Sequence, residues 1–260
     1  MRKLDKHDEK ELRRFLNIEP HANLFLLGDL DAFGFDEMKQ TFYGFFKDKE
    51  LVAVIFTYLD DSIHGVIHEM NQAIIIQLKE LIQLNKYAFF NCTEKTMNHL
   101  DGRIDSLILE KRKTIMSVYT PKSDFKNDDE VFVLNENHST AIVDLENLCF
   151  GLSNRSLKQV EDDLFKGNRM SYGMFYDNQL VAIASAVAET DFSVMVVGVA
   201  THPDYRNKGF ASRVVKKMSD DYYKRGKQAV LFYNNPQAAS IYERLGYEPL
   251  ENYIMNKIKI

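Results

Sequence analysis

The chain has 260 residues, of which 45% are hydrophobic and 27% charged, with a formal net charge of −5. That length holds one large domain or two modest ones with real cores. Mild acidity without a basic run argues against nucleic acid as the main partner, and the two cysteines, Cys92 and Cys149, are too few for a disulfide framework or a metal knuckle.

The N-terminus, Met1 to Lys10, is charged and carries no apolar segment, so no signal peptide is expected. No apolar run reaches the length of a membrane span, and a cytoplasmic protein without membrane contact is expected. Leu12, Phe15 and Leu16 mark a short amphipathic helix ending before Pro20, and His21 to about Ala32 forms a second, leucine-dense and buried one. Strands at Thr41 to Lys47 and Leu51 to Tyr58 follow, joined by the polar turn Asp48-Lys49-Glu50. A third strand covers Ile63 to Glu69. Helix Gln72 to Leu84, strand Lys86 to Asn91, a short helix near Thr93 to Leu100 and strands within Ser106 to Tyr119 complete the first half. His64 and His68 share a face of the third strand, which invites a metal reading. With no third ligand nearby they are expected to be ordinary strand histidines, and no metal is expected.

Pro121 to Glu130 is polar and reads as a linker. A strand at Val131 to Leu134, a helix from about Ser139 to Cys149 and a loop at Gly151 to Arg155 come next, and Ser156 is placed to cap a helix reaching Lys166. Strands are predicted at Met170 to Tyr176, Leu180 to Glu189 and Phe192 to Ala200. The last of these carries Gly198, which marks a bulge or a close approach of backbone to a ligand.

After that strand comes a loop with Arg206, Asn207, Lys208 and Gly209, then a helix with Phe210, Ala211, Val214, Val215, Met218 and Tyr222 on its apolar face. Arg213, Lys216, Lys217 and Asp220 fall on the wet side. The first N–H groups of a helix lack internal partners and sit at the positive end of its dipole, so this junction is built for an anion. Gly209 lets a bulky anion approach the backbone, and Ala211 keeps the next turn small. A strand from Ala229 to Tyr233 then leads to Asn234-Asn235-Pro236 and a helix ending at Gly246, with Ala238, Ile241 and Leu245 toward the core and Asn235, Ala239 and Tyr242 on another face. Tyr247 to about Ile258 is the final strand.

An internal repeat joins the halves. Tyr43-Gly44-x-Phe46-x-Asp48-x-x-Leu51-Val52-Ala53 recurs as Tyr172-Gly173-x-Phe175-x-Asp177-x-x-Leu180-Val181-Ala182, at an offset of 129. Self-similarity across half the chain predicts two copies of one fold. Further on, Ala88-Phe89-Phe90-Asn91 matches Leu231-Phe232-Tyr233-Asn234 at an offset of 143, so the second copy holds 14 more residues between these landmarks (143 less 129). They fall at the loop around Arg206 to Gly209. The first copy has only His68-Glu69-Met70-Asn71-Gln72 there, without a glycine, and His99 at the position of Tyr242.

Arg206-x-x-Gly209-x-Ala211 resembles the pyrophosphate loop of the GNAT superfamily of acyl-CoA-dependent N-acyltransferases. Asn235-Pro236 through Tyr242-Glu243-Arg244-Leu245-Gly246-Tyr247 resembles the Asn-Pro and Tyr-x-x-x-Gly-Phe/Tyr signature that follows it. The resemblance implies an α/β fold of two tandem GNAT-like domains, each a mixed, mostly antiparallel sheet flanked by helices. Residues 1–122 are then a degenerate copy without a pyrophosphate loop, and 126–260 the copy that binds acetyl-CoA. It implies transfer of an acetyl group from acetyl-CoA to a primary amine of a small molecule or peptide, with no metal. The chain would act as a monomer or homodimer.

In such enzymes the strand before the loop splays from the next one, and the acyl arm lies in the gap. By that resemblance Arg206 through Ser212 (Asn207, Lys208, Gly209, Phe210 and Ala211 between them) hold the pyrophosphate, and backbone at Val199, Ala200 and Thr201 polarises the thioester carbonyl. Asn235 and Ala239 flank Tyr242, the expected acid toward the leaving thiolate. No carboxylate stands on Val194 to Ala200; Glu189, Asp191, His202 or a chain of water are the alternatives for removing the ammonium proton. The competing reading is a non-catalytic acyl-CoA sensor or scaffold.

Overall fold

Contacts within the chain gather into two compact units, Met1–Met116 with Leu250–Ile260, and Ser117–Pro249. The computed structural model describes residues 1–36, 38–59, 61–84, 87–122, 128–151 and 156–259.

The first unit opens with strand β1 (Arg2–Lys3) and helices α1 (Glu9–Leu16) and α2 (Leu24–Phe33). Leu12, Phe15 and Leu16 sit at spacings of three and four and are all buried, which is the one-sided pattern that holds a short helix to a sheet. α2 starts later than predicted because Asn23 is drawn inward, its amide donating to the Leu16 carbonyl at 2.8 Å. Strands β2 (Gln40–Lys47), β3 (Glu50–Tyr58) and β4 (Ser62–Ile67) precede helix α3 (Gln72–Gln83). Strand β5 (Phe89–Thr93) begins after Ala88, the predicted start at Lys86 lying outside the described residues, and ends where the Thr93 hydroxyl caps helix α4 (Glu94–Leu100). One long strand, β6 (Ile108–Tyr119), takes the place of the several predicted there.

The second unit holds strand β7 (Phe132–Leu134), helices α5 (Ser139–Phe150) and α6 (Leu157–Lys166), and strands β8 (Arg169–Tyr176), β9 (Gln179–Val187) and β10 (Ser193–Thr201). Helix α7 (Phe210–Lys224), strand β11 (Gln228–Tyr233), helix α8 (Pro236–Leu245) and strand β12 (Tyr247–Ile258) follow. Ser156 caps α6 as predicted, sharing a capping box with Gln159. Residues 123–127 of the predicted linker and 152–155 of the predicted loop lie outside the described residues.

The two units repeat one topology. In the first, β1, β2, β3 and β4 are antiparallel neighbours and β4 pairs β5 in parallel; in the second, β7, β8, β9 and β10 are antiparallel and β10 pairs β11 in parallel. The repeated hairpins agree in detail. Each shifts register at matched positions, Phe45/Phe46 and Met174/Phe175. Both turn through two residues of positive φ, Asp48 and Lys49 in one and Asp177 and Asn178 in the other, as a two-residue turn matched to strand twist requires.

The last strand departs from the predicted boundary. β12 pairs β5 antiparallel from Tyr253↔Thr93 to Lys257↔Phe89, and Ile254 and Ile258 join the core around Ile55, Leu78 and Phe90. The second compact unit therefore ends at Pro249 rather than at 260, and it takes in Ser117–Tyr119 at the end of β6. Tyr119 is fully buried there, its ring 5.2 Å from that of Tyr247 and its hydroxyl donating to Asp220. That contact corrects the placement of Asp220 on a wet face: it is 1% exposed and also meets Lys216 Nζ at 2.6 Å. A carboxylate can lie inside α7 because both partners come with it. Among the described residues no helix is long and apolar enough to cross a membrane.

Candidate active site

Between β10 and α7 the chain makes a 3-10 turn at Pro203–Tyr205, then passes through Asn207 at φ 63 and Gly209 at φ 81. Successive amides in such left-handed conformations make an anion-binding concavity. Gly209 is the N-cap of α7, and no side chain caps that end. By contrast Asn71, Ser156 and Asn235 each cap their helices α3, α6 and α8 through a side-chain oxygen. The first amides of the 15-residue α7 are thus left for a ligand at the positive end of its dipole. A Cβ on Gly209 would meet nothing within 4 Å, so the space in front of it is open.

Beside this terminus the sheet opens. β10 and β11 pair only from Ser193↔Gln228 to Met195↔Val230, although the strands continue to Thr201 and Tyr233. β10 also bulges against β9 between Val197 and Ala200, with Gly198 at φ 61. A bulge leaves its extra residue without a ladder partner, so backbone polar groups near Gly198 are available. The gap continues into a cleft of about 660 Å³, the size of a small-molecule site. Val199, Ala200, Thr201, Arg206, Asn207, Gly209, Phe210, Ala211, Ser212 and Asn235 line it, joined by residues the sequence did not single out, among them Cys149, Phe150, Gln237 and Arg244. Two arginines and no acid appear among the described lining residues, so the cleft favours an anion.

Three expected site residues are not on the cleft wall. Lys208 leans over the Tyr205 ring, 4.8 Å from its centre. Ala239 and Tyr242 lie on α8 and are not among the lining residues. Tyr242 is half-buried, its ring 5.6 Å from Tyr233 and 5.7 Å from Tyr247. Burial pushes its pKa above the ordinary tyrosine value, so the phenol keeps its proton at neutral pH. No protein group among the described residues hydrogen-bonds its hydroxyl. Asn235 spends its carbonyl oxygen on the Gln237 N–H at 2.9 Å, leaving its NH₂ for a ligand. The core facing predicted for α8 is corrected: no residue of this helix is buried, and Ala238 and Ile241 face the cleft.

The candidate bases are scattered. Glu189 accepts from Lys227 Nζ at 2.6 Å and from the Tyr222 hydroxyl at 3.2 Å, beyond the start of β10. With Asp191 it lies a strand's length, about 26 Å at 3.3 Å per residue, from the cleft end at Thr201. His202 caps the 3-10 turn, its Nδ1 accepting the Asp204 N–H at 3.3 Å. What the sequence reading missed is Glu146 of α5, which is buried and bonded to Arg169 beside the bulge. Its signal was present, since Ile142, Leu145, Glu146 and Cys149 share one helical face and only one of them is charged.

The corresponding junction in the first unit is closed. Asn71 caps α3 by accepting the Ile74 N–H at 3.1 Å, Glu69 pairs with Lys47, and His99 Nδ1 meets the Ile67 carbonyl at 2.9 Å. His64 and His68 do not form a pair. His64 is buried between Ser62 and the Tyr253 hydroxyl, 3.3 and 3.1 Å away, and burial lowers its pKa to about 4. His68 lies past the strand end, 3.7 Å from Glu19. The described residues contain no cluster of His, Cys, Asp and Glu able to hold a metal.

Residues 130–250 match the family model described as acetyltransferase (GNAT) domain. The chain is 25% identical over 144 residues to an uncharacterized N-acetyltransferase, ycf52, of Gracilaria tenuistipitata var. liui, a match covering 54% of this chain and 71% of that protein. A GNAT-family acetyltransferase structure from Colwellia psychrerythraea superposes with a TM-score of 0.64 at 15% identity, covering 99% of both chains. A tandem GNAT protein from the clavulanic acid biosynthesis pathway superposes with the same TM-score at 11% identity, covering 98% of this chain and 96% of that one. The fold is that of tandem GNAT proteins.

Proposed function

Residues 130–250 carry a GNAT acetyltransferase domain, and from that premise we propose that the chain transfers an acetyl group from acetyl-CoA to a primary amine of a small molecule or peptide. The observation that carries the proposal is the uncapped N-terminus of α7 at Gly209, opening where β10 and β11 part on a cleft with no acid among its described lining residues. The amides of Gly209 to Ser212 and the Arg206 guanidinium would bind the pyrophosphate. The acyl arm would enter the gap between the strands, with backbone N–H groups at the bulge receiving the carbonyl oxygen.

The acceptor ammonium loses one proton to become the nucleophile, and its nitrogen lone pair attacks the thioester carbon. The carbon–sulfur bond breaks, and the departing thiolate takes the Tyr242 hydroxyl proton, which solvent restores. The second proton leaves the new amide nitrogen. One CoA thiol and one net proton are released for each amide formed. The first unit, with its helix terminus already capped by Asn71, would hold no cofactor.

The competing reading, a non-catalytic acyl-CoA sensor or scaffold, draws on the lack of a carboxylate among the described residues lining the cleft. A screen of primary amines for release of CoA thiol from acetyl-CoA separates the two. Amine-dependent release supports the enzyme, and acetyl-CoA binding without release for any amine supports the sensor.

A further inference from the structure

We propose that Glu146 is the carboxylate that receives the incoming ammonium of the acceptor, an inference that rests on the acyl-CoA site proposed above. Glu146 lies on the buried face of α5 with Ile142 and Leu145. A carboxylate taken out of water costs several kcal/mol unless it is paired, and a buried ion pair is often no more stabilising than apolar packing. Its presence there calls for a use. One oxygen, Oε1, accepts from Nη2 of Arg169, whose side chain is 1% exposed. The guanidinium is held in turn by Ser171 and Ser185, with Nε 3.0 and 3.1 Å from their hydroxyls and Nη2 2.7 Å from Ser185. Arg169 is thus fixed from behind, and no group among the described residues bonds the other oxygen of Glu146.

The place of that carboxylate is specific. Oε1 lies 2.9 Å from where a Cβ on Gly198 would stand, and Gly198 at φ 61 lets the carboxylate sit against the bulge where a side chain would have to displace it. Three residues on along the same helix, Cys149 lines the cleft, and its Sγ donates to the Thr201 carbonyl at 3.4 Å. Glu146 is therefore one turn deeper than the cleft wall. It sits level with Gly198, toward the point where β10 and β11 converge at Met195↔Val230. A thioester whose phosphates are anchored at Gly209 reaches inward toward this end. An ammonium brought to it leaves water and needs an anion, and none of the described lining residues supplies one. With Arg169 behind, two cations would face one carboxylate, which favours loss of the ammonium proton and so the neutral amine that attacks.

The alternative, that Glu146 is only the counter-ion of Arg169, is separated by two CoA thioethers in a calorimetric comparison. S-aminoethyl-CoA carries an ammonium close to the sulfur, and S-propyl-CoA is its neutral counterpart. The wild-type chain is expected to bind the cationic analogue tenfold or more tightly than the neutral one, about 1.4 kcal/mol. Glu146→Gln, which keeps an oxygen for Arg169, is expected to hold its affinity for S-propyl-CoA and to lose the preference. No preference in the wild type, or an undiminished one in the variant, overturns the proposal. Should Glu146→Gln fail to fold, Glu146→Asp keeps the charge one methylene short and is expected to cut the preference severalfold; an unchanged preference overturns it. If neither thioether binds the wild type, the acyl-CoA site itself is wrong and this proposal falls with it.

Discussion

Replacing Gly209 by valine should separate the cost of folding from the cost of binding. Gly209 sits at φ 81, where an L-residue is strained by roughly 1–2 kcal/mol and a β-branched one by the upper part of that range. Because a Cβ there meets no protein atom within 4 Å, strain is the whole folding penalty. At about 2–4 °C per kcal/mol the melting temperature should fall by roughly 2–8 °C. Binding should suffer more, since the side chain projects into the space that the uncapped amides of α7 open on. Loss of one charge-assisted hydrogen bond, about 1.5–3 kcal/mol, weakens acetyl-CoA by tenfold or more. Gly226 offers the control: it has φ 79, also with nothing within 4 Å of a Cβ, and it follows the other end of α7. Calorimetric titration of both variants, with melting curves alongside, should show the same loss of stability in each and the loss of affinity only in Gly209→Val. Unchanged affinity in a folded Gly209→Val, or an equal loss in Gly226→Val, would refute the reasoning.

Tyr242→Phe should lower kcat by about 10²–10⁴ while acetyl-CoA affinity barely changes; a kcat near wild type would make the residue structural. Asp29 in α2 has its pKa raised to about 7 by burial, so its charged form opposes folding and stability is lost as pH rises from about 4 to 7. Asp29→Asn should therefore melt higher than wild type at pH 8 and level with it at pH 4, and an equal difference at both pH values would contradict that cause. A chain beginning at residue 126 lacks Tyr119, which is fully buried against Tyr247 and Asp220. It should lose about 3–5 kcal/mol relative to a chain beginning at residue 117, read by denaturant titration; equal midpoints would show that Tyr119 packs to no effect.

The repeated hairpin was legible because its glycines, turn residues and register shift are set locally. Gly44 and Gly173 each leave room that a Leu side chain fills, Leu51 in one copy and Leu180 in the other, so the same residues recur at the same spacing. The candidate anion site was legible for a similar reason, since Asn207 and Gly209 set the backbone conformation within one short loop. Long-range choices were not. β12 has an apolar alternation that either unit's sheet could accept, and only the packing of Tyr253 under His64 and of Ile254 among first-unit residues shows its partner. Asp220 reads as a surface acid until Tyr119, a hundred residues earlier, closes over it. Ile241 reads as core because its spacing is helical, yet α8 lines open space. Glu146 was not legible because it stands on α5, far from β10 in the sequence, and only the fold brings it against the bulge at Gly198.

The central claim is that the second unit alone offers an acyl-CoA site, at the uncapped terminus of α7, while Asn71 closes the matching end of α3. Calorimetric titration of the whole chain with acetyl-CoA tests it most directly. One molecule bound per chain is the expected stoichiometry, and two equivalent sites per chain, or none, would contradict it.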